Sequence, residues 1–127
     1  PMISQEVIAD SLAVYNKYGC AVAAIPCIEA IFESEDGNSS DIAIPREKLF
    51  RTQTPHTYAL QDLLSAHEEA DKRNIHNTTA SCVLMQKLGR KIYFSKGSEK
   101  NLKLTTEDDI DTFMAYLSLQ KNSDLVR

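Results

Sequence analysis

The run 20-CAVAAIP-26 is an unbroken stretch of small and β-branched apolar residues that ends in proline. A strand with one wet face alternates polar and apolar positions, whereas this one has no polar position, the pattern of a strand covered on both faces in a parallel sheet. It is expected to be central, with helices on either side. Immediately upstream, Val7, Ile8, Leu12, Val14, Tyr15 and Tyr18 recur at helical spacing between Ser4, a good N-cap, and Gly19, a good C′ residue. An amphipathic helix therefore leads into the strand.

Downstream the character changes. Residues 27–48 alternate through "IEAIFES", turn at "EDGNSSD" and return through "IAIP", which predicts a two-stranded excursion with its tip near Asp36, Gly37 and Asn38. An isolated hairpin is marginal in water, so this one is expected to pack on a partner subunit. The stretch 49-LFRTQTPHTY-58 reads as a strand-like start running into a polar strand-to-helix corner, with Pro55 opening the helix. In that helix Leu60, Leu63, Leu64, His67 and Ala70 mark one face, and His67 reads as a satisfied buried histidine. A shorter helix is predicted over residues 78–88, stopped by Gly89. "KIYFS" (91–95) and "NLKLT" (101–105) read as two strands around a turn. A last helix starts at Thr106 with three acids in its first turn, favourable to the helix dipole, and a core stripe of Ile110, Phe113, Met114 and Leu117. Residues 120–127 are polar and expected to fray. Helices and strands in this order predict an α/β fold with a partly parallel sheet.

With 127 residues, the chain is one unit without room for a second full domain. Its net charge of -4 excludes a global basic field of the kind that holds nucleic acid or an anionic membrane, so any anion must be held locally. No apolar run approaches a membrane span and no signal peptide is legible, so the expected location is cytoplasmic. Cys20, Cys27 and Cys82 lack paired spacing, which favours structural thiols over a zinc site. The four glycines are dispersed, with no phosphate-cradling loop, no G-x-S-x-G and no H-E-x-x-H. The chain opens at Pro1 with Met2 behind it, which reads as a fragment or processed product.

Ligands of open α/β sheets sit beyond the carboxyl ends of strands, and two places there carry candidate chemistry. Arg46, Lys48, Arg51, Thr52 and Thr54 collect three cations and two hydroxyls, able to cage phosphate oxygens; the bland alternative is a solvated basic loop. If Leu102 and Leu104 point into the core, Asn101, Lys103 and Thr105 share the opposite face just before a helix start, an anion site or merely a surface lysine.

Taken in order, "YGCAVAAIPCIEAI", "IPREKLFRTQTPHTY" and "GSEKNLKLTTEDDI" resemble the C-terminal half of the 2-C-methyl-D-erythritol 4-phosphate cytidylyltransferase family, which includes ribitol-5-phosphate cytidylyltransferases. The resemblance implies a Rossmann-like nucleotidyltransferase sheet over residues 1–127 with a protruding β-arm at about 27–48 that crosses into the partner of a homodimer. It implies transfer of a cytidylyl group from CTP to a sugar or polyol phosphate with release of pyrophosphate, and magnesium as cofactor. The glycine loop that holds CTP and the magnesium-binding aspartate would lie upstream of Pro1, which looks like the proline of an Asp-x-x-Arg-Pro motif, so this chain alone would be inactive and hold no metal. Arg46 fits the arm-base arginine facing the substrate phosphate, Thr54 the threonine of the T-P turn, and Lys103 the strand lysine near the phosphates, with Thr105 beside it. Two departures, Ala30 where the family usually has a threonine and Asn77-Thr78 where many members have Thr-Asp, touch the acceptor side and leave the acceptor open. A non-catalytic module that dimerises through the hairpin is the alternative.

Overall fold

The fold was obtained as a computed structural model, and the structure describes residues 1–124. Helix α1 (Gln5–Tyr18) starts where Ser4 Oγ accepts from Val7 N at 3.3 Å and ends at Gly19, whose φ of 82° turns the chain left-handed while its N–H donates to Tyr15 O. Both ends match the sequence reading. Its buried face is narrower than expected: Val7 and Ser11 meet the sheet, while Ile8 and Leu12 stand exposed.

Strand β1 (Cys20–Pro26) is central, with residues 21–25 all buried. The remaining elements are β2 (Ile31–Glu33), β3 (Ile42–Ile44), a 3-10 turn (Arg46–Lys48), β4 (Phe50–Tyr58), α2 (Leu60–Lys72), α3 (Ser81–Lys87), β5 (Phe94–Lys96) and α4 (Glu107–Asp124). The main sheet has the order β4-β1-β5, with β5 parallel and β4 antiparallel to β1. Thus the expected α/β layering holds, with one parallel pair.

The polar corner is a correction. Residues 50–58 form one strand, and the helix begins at Leu60 rather than at Pro55. The register explains why the proline is tolerated: Val22 pairs with His56 and Ala23 with Gln53, so Thr54 and Pro55 are extra residues in a bulge. Proline has no N–H to give a ladder, and a bulge asks for none there. The Thr54–Pro55 peptide is cis.

Strand alternation fixes the layers. Thr57 turns to α1, where its hydroxyl meets Ser11 Oγ at 2.8 Å; its neighbours His56 and Tyr58 turn the other way, His56 to Ser81 of α3 and Tyr58 to the apolar cluster Ala66, Ala70, Leu84, Met85 and Leu88 between α2 and α3. One helix therefore covers one face and a helix pair covers the other. His67 is exposed, contrary to expectation, because α2 buries Ala66 and Ala70 and so turns its 67 position outward. The short helix is also trimmed, to Ser81–Lys87.

The arm exists as predicted: β2 and β3 pair antiparallel from Ile31↔Ile44 to Glu33↔Ile42 as a separate sheet. Its tip is an Asx turn in which Asp36 Oδ1 accepts from the N–H groups of Asn38 and Ser39, both at 2.9 Å, with Gly37 at φ 72°. Those bonds, with the hydroxyls of Ser39 and Ser34, hold the Asp36 carboxyl well below its ordinary range. Residues 101–105 are not a strand. Asn101 is buried and turns take the chain to α4, so the alternation of Leu102 and Leu104 does not describe a sheet face. In α4 the three first-turn acids are as read, and a capping box is added: Thr106 Oγ1 accepts from Asp109 N, and Asp109 Oδ2 accepts from the N–H groups of Thr105 and Thr106. Its predicted core stripe is only half realised, since Ile110 and Met114 are exposed and Phe113 and Leu117 half-buried. The helix carries on to Asp124 through the segment expected to fray; residues 125–127 of that tail lie outside the described residues. No helix among the described residues is long and apolar enough to cross a membrane.

Candidate functional site

The parallel strands β1 and β5 both end at the same side of the sheet, at Pro26 and Lys96. Beyond those ends lie the base of the arm and the loop that leaves β5, and the first half of β4 runs alongside, Phe50 to Gln53 pairing with Pro26 to Ala23. The sequence-predicted residues fall on these three segments.

Arg46 sits in the 3-10 turn that closes the arm, and its Nη1 donates to Ile28 O at 2.9 Å across the arm base. Thr54 occupies the β4 bulge and is exposed. Lys103 lies exposed on the loop between β5 and α4. The loop and the bulge are joined directly, because Asn101 Nδ2 donates to Thr54 O at 2.5 Å. Thr105 is differently employed: its N–H and Oγ1 both donate to Asp109 Oδ2, at 2.8 and 2.9 Å, in the cap of α4.

Arg51, grouped with the cations in the sequence reading, is engaged by carboxylates. Its Nη2 donates to both oxygens of Glu99 at 3.0 and 2.9 Å and lies 3.8 Å from Glu29. This pair ties β4 and the arm base to the loop, and at the surface such pairs stabilise by about 0–1 kcal/mol. Glu29 is held below its ordinary range by its own backbone N–H first and then by the Cys27 thiol, with the Arg51 charge adding to both. Arg46, Lys48, Lys100 and Lys103 are thus the cations of these segments that no carboxylate pairs among the described residues.

Two residues that sequence reasoning did not single out, Gln53 and Gly97, build the corner with Asn101, which it had placed beside Lys103 on a strand face. Gln53 bonds to Ser98 and Asn101, Asn101 returns a bond to Thr54, and Gly97 lies flat against Ala24. The signal was present only as a glutamine in the Q-T-P turn, with nothing in the spacing to say which segment it would meet.

Elsewhere, a hollow of about 470 Å³ opens at the arm tip, lined by Glu33, Glu35, Asp36 and Asp41. Four carboxylates repel a phosphate, so phosphate chemistry belongs at the cationic corner. No cluster of three or more metal-ligating side chains exists among the described residues.

Comparison with known proteins bears on this corner. The family model for 2-C-methyl-D-erythritol 4-phosphate cytidylyltransferase matches residues 1–119. A ribitol-5-phosphate cytidylyltransferase of Lacticaseibacillus paracasei is 37% identical over 119 residues, covering 92% of this chain and 51% of that protein. A 2-C-methyl-D-erythritol 4-phosphate cytidylyltransferase of Clostridium acetobutylicum is 36% identical over 124 residues, covering 97% and 52%. Among solved structures, the Thermus thermophilus 2-C-methyl-D-erythritol 4-phosphate cytidylyltransferase superposes with a TM-score of 0.80 at 25% identity, covering 91% of this chain and 56% of that one. The fold is therefore the Rossmann-like α/β fold of those enzymes, and the chain spans about half the length of the curated relatives it matches. With the family model matching 119 of 127 residues, the chain belongs to the 2-C-methyl-D-erythritol 4-phosphate cytidylyltransferase family.

Proposed function

We propose that this chain is the acceptor-phosphate side of an enzyme that transfers a cytidylyl group from CTP to a polyol phosphate. The supporting observation is that Arg46 and Lys103, neither of them paired by a carboxylate, lie on the segments that follow the carboxyl ends of β1 and β5 in a chain of this family. An oxygen of the acceptor phosphate attacks the α-phosphorus of CTP, the bond to the β-phosphate oxygen breaks, and pyrophosphate leaves. The nucleophile comes from the acceptor, so the protein's part is to position two anions and neutralise their charge. Arg46 and Lys103 do so at the acceptor phosphate, with the exposed Thr54 hydroxyl as a further ligand, whereas Thr105 would have to release Asp109 to join them.

The acceptor is 2-C-methyl-D-erythritol 4-phosphate or a related polyol phosphate; the relatives above are named for the first and for ribitol 5-phosphate. Ala30, exposed on the arm, offers no hydroxyl where a threonine is usual, which favours a different polyol chain. We assign the arm to a homodimer contact, because Ile28, Phe32 and Ile42 are more than half exposed on a hairpin too small to be stable alone.

The test is a pyrophosphate-release assay of the intact gene product with CTP, UTP or ATP against methylerythritol phosphate, ribitol 5-phosphate and other polyol phosphates. Turnover with CTP and one polyol phosphate is expected. No turnover in any combination, with a dimer that persists in solution, would leave the non-catalytic arm module as the reading.

A further inference from the structure

Gln53 points from β4 to the loop after β5 and uses both ends of its carboxamide there. Its Nε2 donates to Ser98 O at 2.9 Å and to Asn101 O at 3.4 Å, while its Oε1 accepts from Ser98 N at 3.0 Å. The side chain thereby bonds Ser98 as a neighbouring strand would, through one donor and one acceptor. Asn101, only 8% exposed, grips in the opposite direction through Thr54 O. Gly97 lets the loop lie this close, for a Cβ there would stand 2.6 Å from Gln53 Oε1 and 2.8 Å from Ala24 O. The loop is thus fastened at residues 97, 98 and 101, and Lys103 follows two residues after the last fastening.

We propose that Gln53 is a positioning residue for the transfer reaction: it holds the 97–101 loop so that Lys103 stands at the Thr54 bulge, without itself touching substrate. The assignment of Lys103 to the acceptor phosphate rests on the proposed function; the fastening of the loop does not. A neutral amide is required, since a carboxylate of the same shape would set a negative oxygen against two carbonyls, Ser98 O and Asn101 O.

The experiment compares wild type, Gln53→Glu and Asn101→Asp, the second variant breaking the same clamp from the loop's side. Two readouts are taken on the intact protein: amide hydrogen exchange, and steady-state kinetics with CTP and the accepted polyol phosphate. Amides of residues 98–105 should exchange at least tenfold faster in both variants, with β1 amides unchanged, and kcat should fall at least tenfold while KM for CTP moves less than twofold. A side chain that merely stabilised the fold would instead loosen β1 as well. In the double variant Gln53→Glu/Lys103→Ala, the loss should be no larger than that of Lys103→Ala alone, because residues acting through one another are not additive. Unchanged loop exchange, or losses that multiply fully, would overturn the proposal. If wild type turns over no substrate pair, the proposed function falls, and the exchange result alone decides whether the clamp exists.

Discussion

Gly97→Ala should destabilise the protein through crowding alone, and the structure allows the size to be worked out. The added Cβ would lie 2.6 Å from Gln53 Oε1, 2.8 Å from Ala24 O and 2.8 Å from Ile25 Cγ2. Ala24 O belongs to the central strand and already accepts the Gly97 N–H at 3.1 Å, and Ile25 is buried, so neither can move far. Gln53 can withdraw only by giving up its bond from Ser98 N. Over-packing of this kind costs about 1–3 kcal/mol, and a lost hydrogen bond about 0.5–1.5 kcal/mol. The alanine also restricts the unfolded chain, which offsets about 0.4–1 kcal/mol. The expected net loss is about 2 kcal/mol, and with a urea m-value of about 2 kcal/mol/M the midpoint should fall by about 1 M. Gly89→Ala serves as the contrast: its φ of 77° is strained for alanine, yet nothing lies within 4 Å of the new carbon. Its loss should come from backbone alone, about 1–2 kcal/mol, without loosening the 98–101 loop in exchange measurements. A Gly97→Ala midpoint within about 0.25 M of wild type, at equal m, would refute the steric reasoning.

Other consequences are as direct. Thr57→Val should leave the buried Ser11 hydroxyl without its partner at 2.8 Å and cost about 1–3 kcal/mol, whereas Thr57→Val/Ser11→Ala should recover much of it; a denaturation cycle showing simple additivity would contradict this. Leu84→Ala, in the cluster between α2 and α3, should cost about 2–5 kcal/mol by thermal or urea melting, and a loss below about 1 would mean that the cluster is not packed as described. The Asp109 carboxyl is held down to about 2, first by the Thr105 N–H and then by that of Thr106. A folded value depressed below the ordinary 3.8 contributes stability that is present above 3.8 and lost as pH falls through about 2. First-turn amides of α4 should therefore loosen over that window in wild type but not in Asp109→Asn, and identical profiles would be contrary evidence. Arg46→Ala and Lys103→Ala should each lower turnover at least tenfold, about 1.4 kcal/mol, with unchanged melting; wild-type kinetics in both would remove them from the site.

The central strand was legible because burial on both faces leaves no choice of composition: five consecutive buried positions, residues 21–25, had to be apolar and small enough for helices on either side. Helix ends were legible because Ser4 and Gly19 act on bonds within their own helix. What failed depended on contacts distant in sequence. Proline at 55 suggested a helix start, since nothing local announces a bulge that forms only against Val22 and Ala23. Leu102 and Leu104 mimicked a strand, while the residue that turned inward was Asn101, drawn by a carbonyl 47 positions away. The apolar stripes of α1 and α4 were read as buried, yet Ile8, Leu12, Ile110 and Met114 find no cover within the described residues of a chain half as long as its relatives.

The same distinction accounts for the density of polar groups in 49-LFRTQTPHTY-58. Seven of its side chains carry hydrogen-bonding groups, but four are employed in holding the protein together: Arg51 on Glu99, Gln53 on Ser98, His56 on Ser81 and Thr57 on Ser11. Thr52 and Thr54 present exposed hydroxyls, and Thr54, in the bulge, is the one whose backbone carbonyl is bonded to the loop that carries Lys103. Hydrogen-bonding capacity in a sequence therefore marks a place where segments meet before it marks a ligand. In the proposed reading the two coincide at this corner, because the bonds that fasten the 97–101 loop to β4 hold the segment from which Lys103 follows two residues on.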